Sequence, residues 1–173
     1  MAPIGETMQD ALNKQVNAEL YSAYLYLAMA ADLETKSFPG FASWMRVQAQ
    51  EETAHAMKFF KYVCERGGTV TLEAIGKPPA KWDTPLAVFE AVYAHEQKVT
   101  ALISKLVDLA TGETDHATQN MLQWFVAEQV EEEATAEAIL QQLRMVAGAP
   151  AALVMLDRQL ATRTFKAPAA EED

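Results

Sequence analysis

Four long apolar seams, each interrupted near its middle by a carboxylate, constrain what this chain can fold into. The first seam runs Leu12, Val16, Glu19, Ala23, Tyr26, Ala30, Leu33, and the second Phe41, Met45, Gln48, Glu52, His55, Phe59, Tyr62. The third reads Phe89, Val92, Glu96, Val99, Ile103, Leu106, and the fourth Leu122, Phe125, Gln129, Glu132, Ala136, Ile139, Leu143. Steps of three and four residues keep one helical face turned to a common axis. Strand-like alternation is absent, so the chain is expected to be all-α, a four-helix bundle.

Proline and glycine set the boundaries. Helices are expected from Glu6 to Glu34, from Pro39 to Arg66 ahead of Gly67-Gly68, from Thr84-Pro85 to Gly112, and from Asp115 to Gly148. A short fifth helix past Pro150 carries Leu153, Leu156 and Leu160 on one face. Residues 1–165 read as one domain, and residues 166–173 (Lys-Ala-Pro-Ala-Ala-Glu-Glu-Asp) as a disordered tail. Helices one and two, and three and four, are joined by a few residues, so each pair should be antiparallel. The link from Gly67 to Asp83 has no helical pattern. Its 17 residues reach ~56 Å when extended, longer than the ~43 Å of the first helix. The expectation is therefore one long crossover running the length of the bundle.

Charge and cysteine usage exclude several classes. The formal net charge is −10, unlike the basic faces of nucleic-acid binders. Cys64 is the only cysteine, so an intrachain disulfide, a zinc ribbon or a rubredoxin-type iron site cannot form; off the seam, it reads as a small apolar filler. The N-terminus lacks the basic-then-apolar pattern of a signal peptide, and no stretch reaches the ~20 apolar residues of a membrane span. The chain reads as a soluble cytoplasmic protein.

The polar exceptions on the seams carry the chemistry. Each buried carboxylate without compensation costs several kcal/mol. Four helices with a carboxylate at one depth repel one another, and no Lys or Arg stands on the seams to cancel the charge. A bound cation would. The halves also repeat: Glu19 to Glu52 is 52 − 19 = 33 residues and Glu96 to Gln129 is 129 − 96 = 33, with His55 and Glu132 each three further on. One Glu from each of two helices, plus an i, i+3 pair from each of the others, is the two-fold pattern of a dinuclear carboxylate site. Carboxylate oxygen with a single imidazole suits iron. Only the first half holds a full Glu-x-x-His, so the two positions should differ. One is expected to use Glu19, Glu52 and His55; the other Glu96, with Glu52 as bridge and a weak contribution from Gln129. On spacing alone, Tyr26 is core packing, and Glu131-Glu132-Glu133 reads equally as a charge run or as more metal ligands.

At these residues the sequence resembles the non-haem bacterial and archaeal ferritins. Asn17-Ala-Glu-Leu-Tyr-Ser-Ala-Tyr-Leu-Tyr26, Gln50-Glu-Glu-Thr-Ala-His55, His95-Glu-Gln97 and Leu122-Gln-Trp-Phe-Val-Ala-Glu-Gln-Val-Glu-Glu-Glu133 match that family's motifs in order, over about Glu6 to Leu160. The resemblance implies a ferritin-like bundle and an iron-storage function. It implies ferroxidase chemistry that uses O2 or H2O2, and a hollow homo-oligomeric shell of 24 subunits. It makes Glu19, Glu52, His55, Glu96 and Gln129 the ligands of a di-iron centre, with Tyr26 beside it. It adds a third iron site on Glu51, Glu128, Glu131 and Glu132. No haem is expected, because the position of the bacterioferritin haem methionine is Thr53 here and Met57 is off that register. A di-iron oxygenase or peroxidase is the alternative; it would share the carboxylates but carry two Glu-x-x-His motifs. Neither nucleic acid nor membrane is an expected partner.

Overall fold

The computed structural model describes residues 3–165, so the expected disordered tail of residues 166–173 lies outside them. The described residues form α1 (Glu6–Thr35), α2 (Pro39–Glu65), α3 (Pro85–Gly112), α4 (His116–Met145) and α5 (Pro150–Leu160), and contain no strand. The ends follow from local chemistry. The Thr84 side chain accepts from Ala87 N at the start of α3, with Pro85 in the first turn, and Asp115 accepts from Thr118 N at the start of α4. Gly67, at φ +71°, stops α2, and Gly68 N closes the turn on Val63 O at 2.9 Å. The fourth helix ends at Met145, three residues before the expected Gly148, whose φ of +79° takes the chain into α5.

The segment between α2 and α3 is the expected crossover. Asn13 Nδ2 donates to Thr69 O at 3.0 Å, Asn17 Nδ2 donates to Glu73 O at 3.2 Å, and Trp82 N donates to Asp32 Oδ2 at 3.1 Å. These partners climb α1 from near its start to near its end. The crossover therefore runs the length of the bundle, and α3 begins at the end where α2 also began.

The apolar core is split in two. One block joins Tyr26, Met29, Leu33, Phe41, Met45, Phe89, Val92, Ile139 and Leu143; the other joins Leu12, Val16, Phe59, Val63, Val99, Ile103, Leu122 and Phe125. Between them lies the polar layer anticipated from the seams. The first block also takes Leu156 of α5, with Leu153 and Leu160 packed at its edge. Asp157 fixes how α5 docks: its Oδ1 accepts from Phe41 N at 2.9 Å, filling the N-terminus of α2. The adjacent Gly40 lets the two backbones approach, since a Cβ there would meet Asp157 O at 1.8 Å. Cys64 is exposed rather than filling a core gap: its place on α2 faces out of the bundle.

Candidate metal centre

All four long helices contribute to the polar layer. Glu19 is 1% exposed, Glu52 1%, His55 4%, Glu96 2% and Gln129 4%. One ligand atom each from Glu19, Glu52 and His55 lie within 4.8 Å of one another, and so do atoms from Glu52, Glu96 and Glu132. Glu52 belongs to both groups, as a bridge requires. A third group of the same dimension joins His55, Glu128 and Glu132. Glu132, expected on the second i, i+3 pair and from the family resemblance in a third site, belongs both to the group with Glu52 and Glu96 and to that with His55 and Glu128.

Hydrogen bonds orient these groups. Gln15 Nε2 donates to Glu19 Oε1 and Gln48 Nε2 to Glu52 Oε1, each at 2.8 Å. Each glutamine stands one helical turn before its carboxylate, on the same face. Gln48 stands on its seam and Gln15 does not, and the sequence signal for both is a glutamine four residues ahead of a buried glutamate. Tyr26 Oη donates to Glu96 Oε1, so this tyrosine is tied to the site rather than only packed beside it. Gln129 Nε2 reaches Glu96 Oε2 at 3.3 Å, so in this arrangement Gln129 is a donor to a candidate ligand. His55 is held between the rings of Trp124 and Phe125 at centroid distances of 5.4 and 6.0 Å. His95 turns away, its ring 2.8 Å from Ser22 Oγ, and burial pushes its pKa down, toward the neutral form.

Burial and mutual repulsion of the carboxylates dominate the electrostatics of the layer. Burial raises the Glu19 carboxyl, with His55 opposing it. Burial, then Glu96 and Glu19, pushes Glu52 well above the usual carboxylate range; burial, then Glu52 and Glu96, does the same to Glu132. The Tyr26 phenol is raised by burial and by Glu96. Glu19 Oε2 and Glu132 Oε2 are buried with no hydrogen-bond partner among the described residues. Oxygen donors with one imidazole and two unsatisfied carboxylate oxygens fit a hard or borderline cation such as iron.

Beside this layer a cavity of about 340 Å³ is lined by Glu51, Glu128, Glu131 and Glu132. Glu51, Glu128 and Glu132 are half-buried, and Glu131 is exposed. Glu133 bonds Thr100 and is not part of the lining. The seams carry no Lys or Arg, as their pattern shows. Beside them Arg163, from the turn after α5, reaches the cavity and pairs with Glu51. Nothing in the seam pattern pointed to it.

Comparison with known proteins places the chain in a family. The profile of the family described as Ferritin-like domain matches residues 9–146. A bacterial non-heme ferritin of Bacteroides fragilis is 44% identical over 160 residues, which cover 92% of this chain and 99% of that protein. The bacterial non-heme ferritin of Staphylococcus saprophyticus is 38% identical over 162 residues, 94% of this chain and 97% of that one. An open pore ferritin from the hyperthermophilic archaeon Archaeoglobus fulgidus superposes with a TM-score of 0.93 at 55% identity, covering 93% of this chain and 99% of that chain.

Proposed function

The chain belongs to the ferritin family, and from that premise we propose that it is an iron-storage ferritin whose own four-helix bundle oxidises Fe(II). One Fe(II) is held by Glu19, Glu52 and His55, and a second by Glu52 and Glu96, with Gln129 and Tyr26 fixing Glu96. A third iron position is formed by Glu51, Glu128, Glu131 and Glu132. The observation that supports this most is the buried carboxylate layer with two unpartnered oxygens: without a cation it is a cost to the fold, and with one it is a site.

The chemistry follows from the donors. Each Fe(II) gives up one electron, and the pair delivers two together. O2 takes them with two protons to give H2O2, and H2O2 as oxidant takes them with two protons to give two waters. Single-electron oxygen species are thereby avoided. Anionic oxygen ligands favour the Fe(III) product, which then hydrolyses and passes to the stored mineral. Gln15 and Gln48 hold Glu19 and Glu52 in place for binding.

The working form is proposed to be a cytoplasmic 24-subunit shell of about 460 kDa (24 × 19.1 kDa), large enough to tell by size from a di-iron oxygenase. No helix among the described residues is long and apolar enough to cross a membrane. No haem is assigned: Thr53, exposed on α2, offers no thioether.

Stopped-flow absorbance on mixing with Fe(II) and O2 tests the reading. Glu52→Ala and His55→Ala should abolish the fast oxidation phase while keeping the fold, because each removes a buried polar group that needs a cation. Wild-type rates in Glu52→Ala would refute the assignment.

A further inference from the structure

Among the described residues, Arg163 is the one polar partner of the centre that comes from outside the four long helices. It follows α5 by three residues. Its guanidinium is held by three groups: Nη2 pairs with Glu51, Nη1 donates to Gln48 Oε1 at 2.8 Å, and Cζ lies 4.4 Å from the centroid of the Trp44 ring. The Arg163 and Glu51 side chains are 24% and 20% exposed, so this is a partly desolvated pair rather than a surface one. Among the described residues no other Lys or Arg lines the cavity that holds Glu51, Glu128, Glu131 and Glu132.

Resting on the reading of those glutamates as the third iron position, we propose that Arg163 is a tethered cation standing in for iron beside Glu51. Iron engages Glu51 only when the guanidinium leaves. The work of displacing Arg163 is the same whichever ion arrives, whereas the attraction to the carboxylates grows with the charge of the ion. Arg163 therefore weakens every cation at this position by the same factor, and only an ion drawn strongly enough to the carboxylates displaces it. It also reaches the bridge. The Gln48 oxygen accepts from Arg163, so the same amide presents its nitrogen to Glu52 Oε1 at 2.8 Å. When Arg163 leaves, Gln48 loses the contact that fixes its orientation, and iron beside Glu51 is felt at the bridging carboxylate. Arg163 is in this sense a positioning residue that competes with any cation for Glu51.

The test uses Zn(II), which is redox-inert, titrated calorimetrically into the metal-free assembled wild type, Arg163→Ala and Arg163→Gln. The Gln variant keeps amide donors for Gln48 and removes only the charge, so it serves if the Ala variant packs poorly. In both variants the third zinc per subunit should bind about tenfold more tightly than in wild type, about 1.4 kcal/mol, with the first two unchanged in Arg163→Gln, which keeps a donor for Gln48. Zinc-edge anomalous diffraction should place that third ion against Glu51. A third-ion affinity unchanged in both variants, with the first two sites filling normally, would overturn the proposal; Arg163 would then only anchor the turn after α5, and a lower melting temperature would be its sole effect. Failure of the first two zinc ions to bind in any of the three proteins would instead remove the di-iron reading, and this inference with it.

Discussion

Replacing Gly40 with Ala should undock the fifth helix. The added Cβ would lie 1.8 Å from Asp157 O and 2.5 Å from Asp157 C. Both are backbone atoms that cannot rotate away, so α5 would have to retreat by 3.4 − 1.8 = 1.6 Å to restore an ordinary contact. That movement breaks the 2.9 Å bond from Phe41 N to Asp157 and lifts Leu156, now 5% exposed, from the core. The energy is bounded by undocking itself. A hydrogen bond to a charged group contributes about 1.5–3 kcal/mol, and full burial of a leucine another 1.5–3 or so. The sum is about 3–6 kcal/mol, and the lower half applies because the freed Asp157 regains water. An isolated helix shorter than ~12–15 residues is marginal in water, so the 11 residues of α5 should unravel once released. Hydrogen exchange read by mass spectrometry is the assay. Peptides covering Pro150–Leu160, and the Phe41 amide, should lose protection in Gly40→Ala, while the middle of α1 keeps its own. Unchanged protection over Pro150–Leu160 would refute the reasoning.

Glu131→Ala should retain the initial rapid oxidation, because Glu19, Glu52, His55 and Glu96 remain, and should change the number of irons oxidised per O2; an oxygen electrode reading the wild-type ratio would show Glu131 to be only an exposed charge. The second expectation concerns pH. Burial raises the carboxyls of Glu19, Glu52 and Glu132 above the ordinary 4.5, and a raised carboxyl contributes stability that is present below its unfolded value and lost as pH rises through its folded one. The metal-free protein should therefore lose thermal stability as pH rises from about 4.5 toward neutrality. Zn(II) affinity should rise over the same range, because metal entry expels protons. Glu52→Gln should flatten both trends in calorimetry, and a wild-type pH dependence in that variant would contradict the assigned cause.

What was legible in the sequence is what periodicity governs. A 3.5-residue repeat fixes which residues of a long helix face the axis, so the pattern alone puts Glu19, Glu52, His55, Glu96 and Gln129 at one depth. The crossover was legible as a length, and the starts of α3 and α4 as Thr84-Pro85 and Asp115. Interactions set by how elements dock were not legible. Tyr26 was on the seam by count, but its bond to Glu96 depends on the spacing between α1 and α3. Arg163 and Asp157 depend on where α5 lies, and that depends on the close approach at Gly40, for which the sequence offers only one glycine beside a proline. Cys64 could not be read as exposed from its type, since burial of a lone thiol follows from the face it occupies.

The central claim is that the buried carboxylate layer is an iron site within one subunit. Crystals soaked anaerobically in Fe(II), with data collected at the iron edge, test it most directly. Two anomalous peaks are expected in the layer, one in contact with Glu19, Glu52 and His55 and the other with Glu52 and Glu96. Iron found only on surface carboxylates, with no peak between the two halves of the apolar core, would contradict the account.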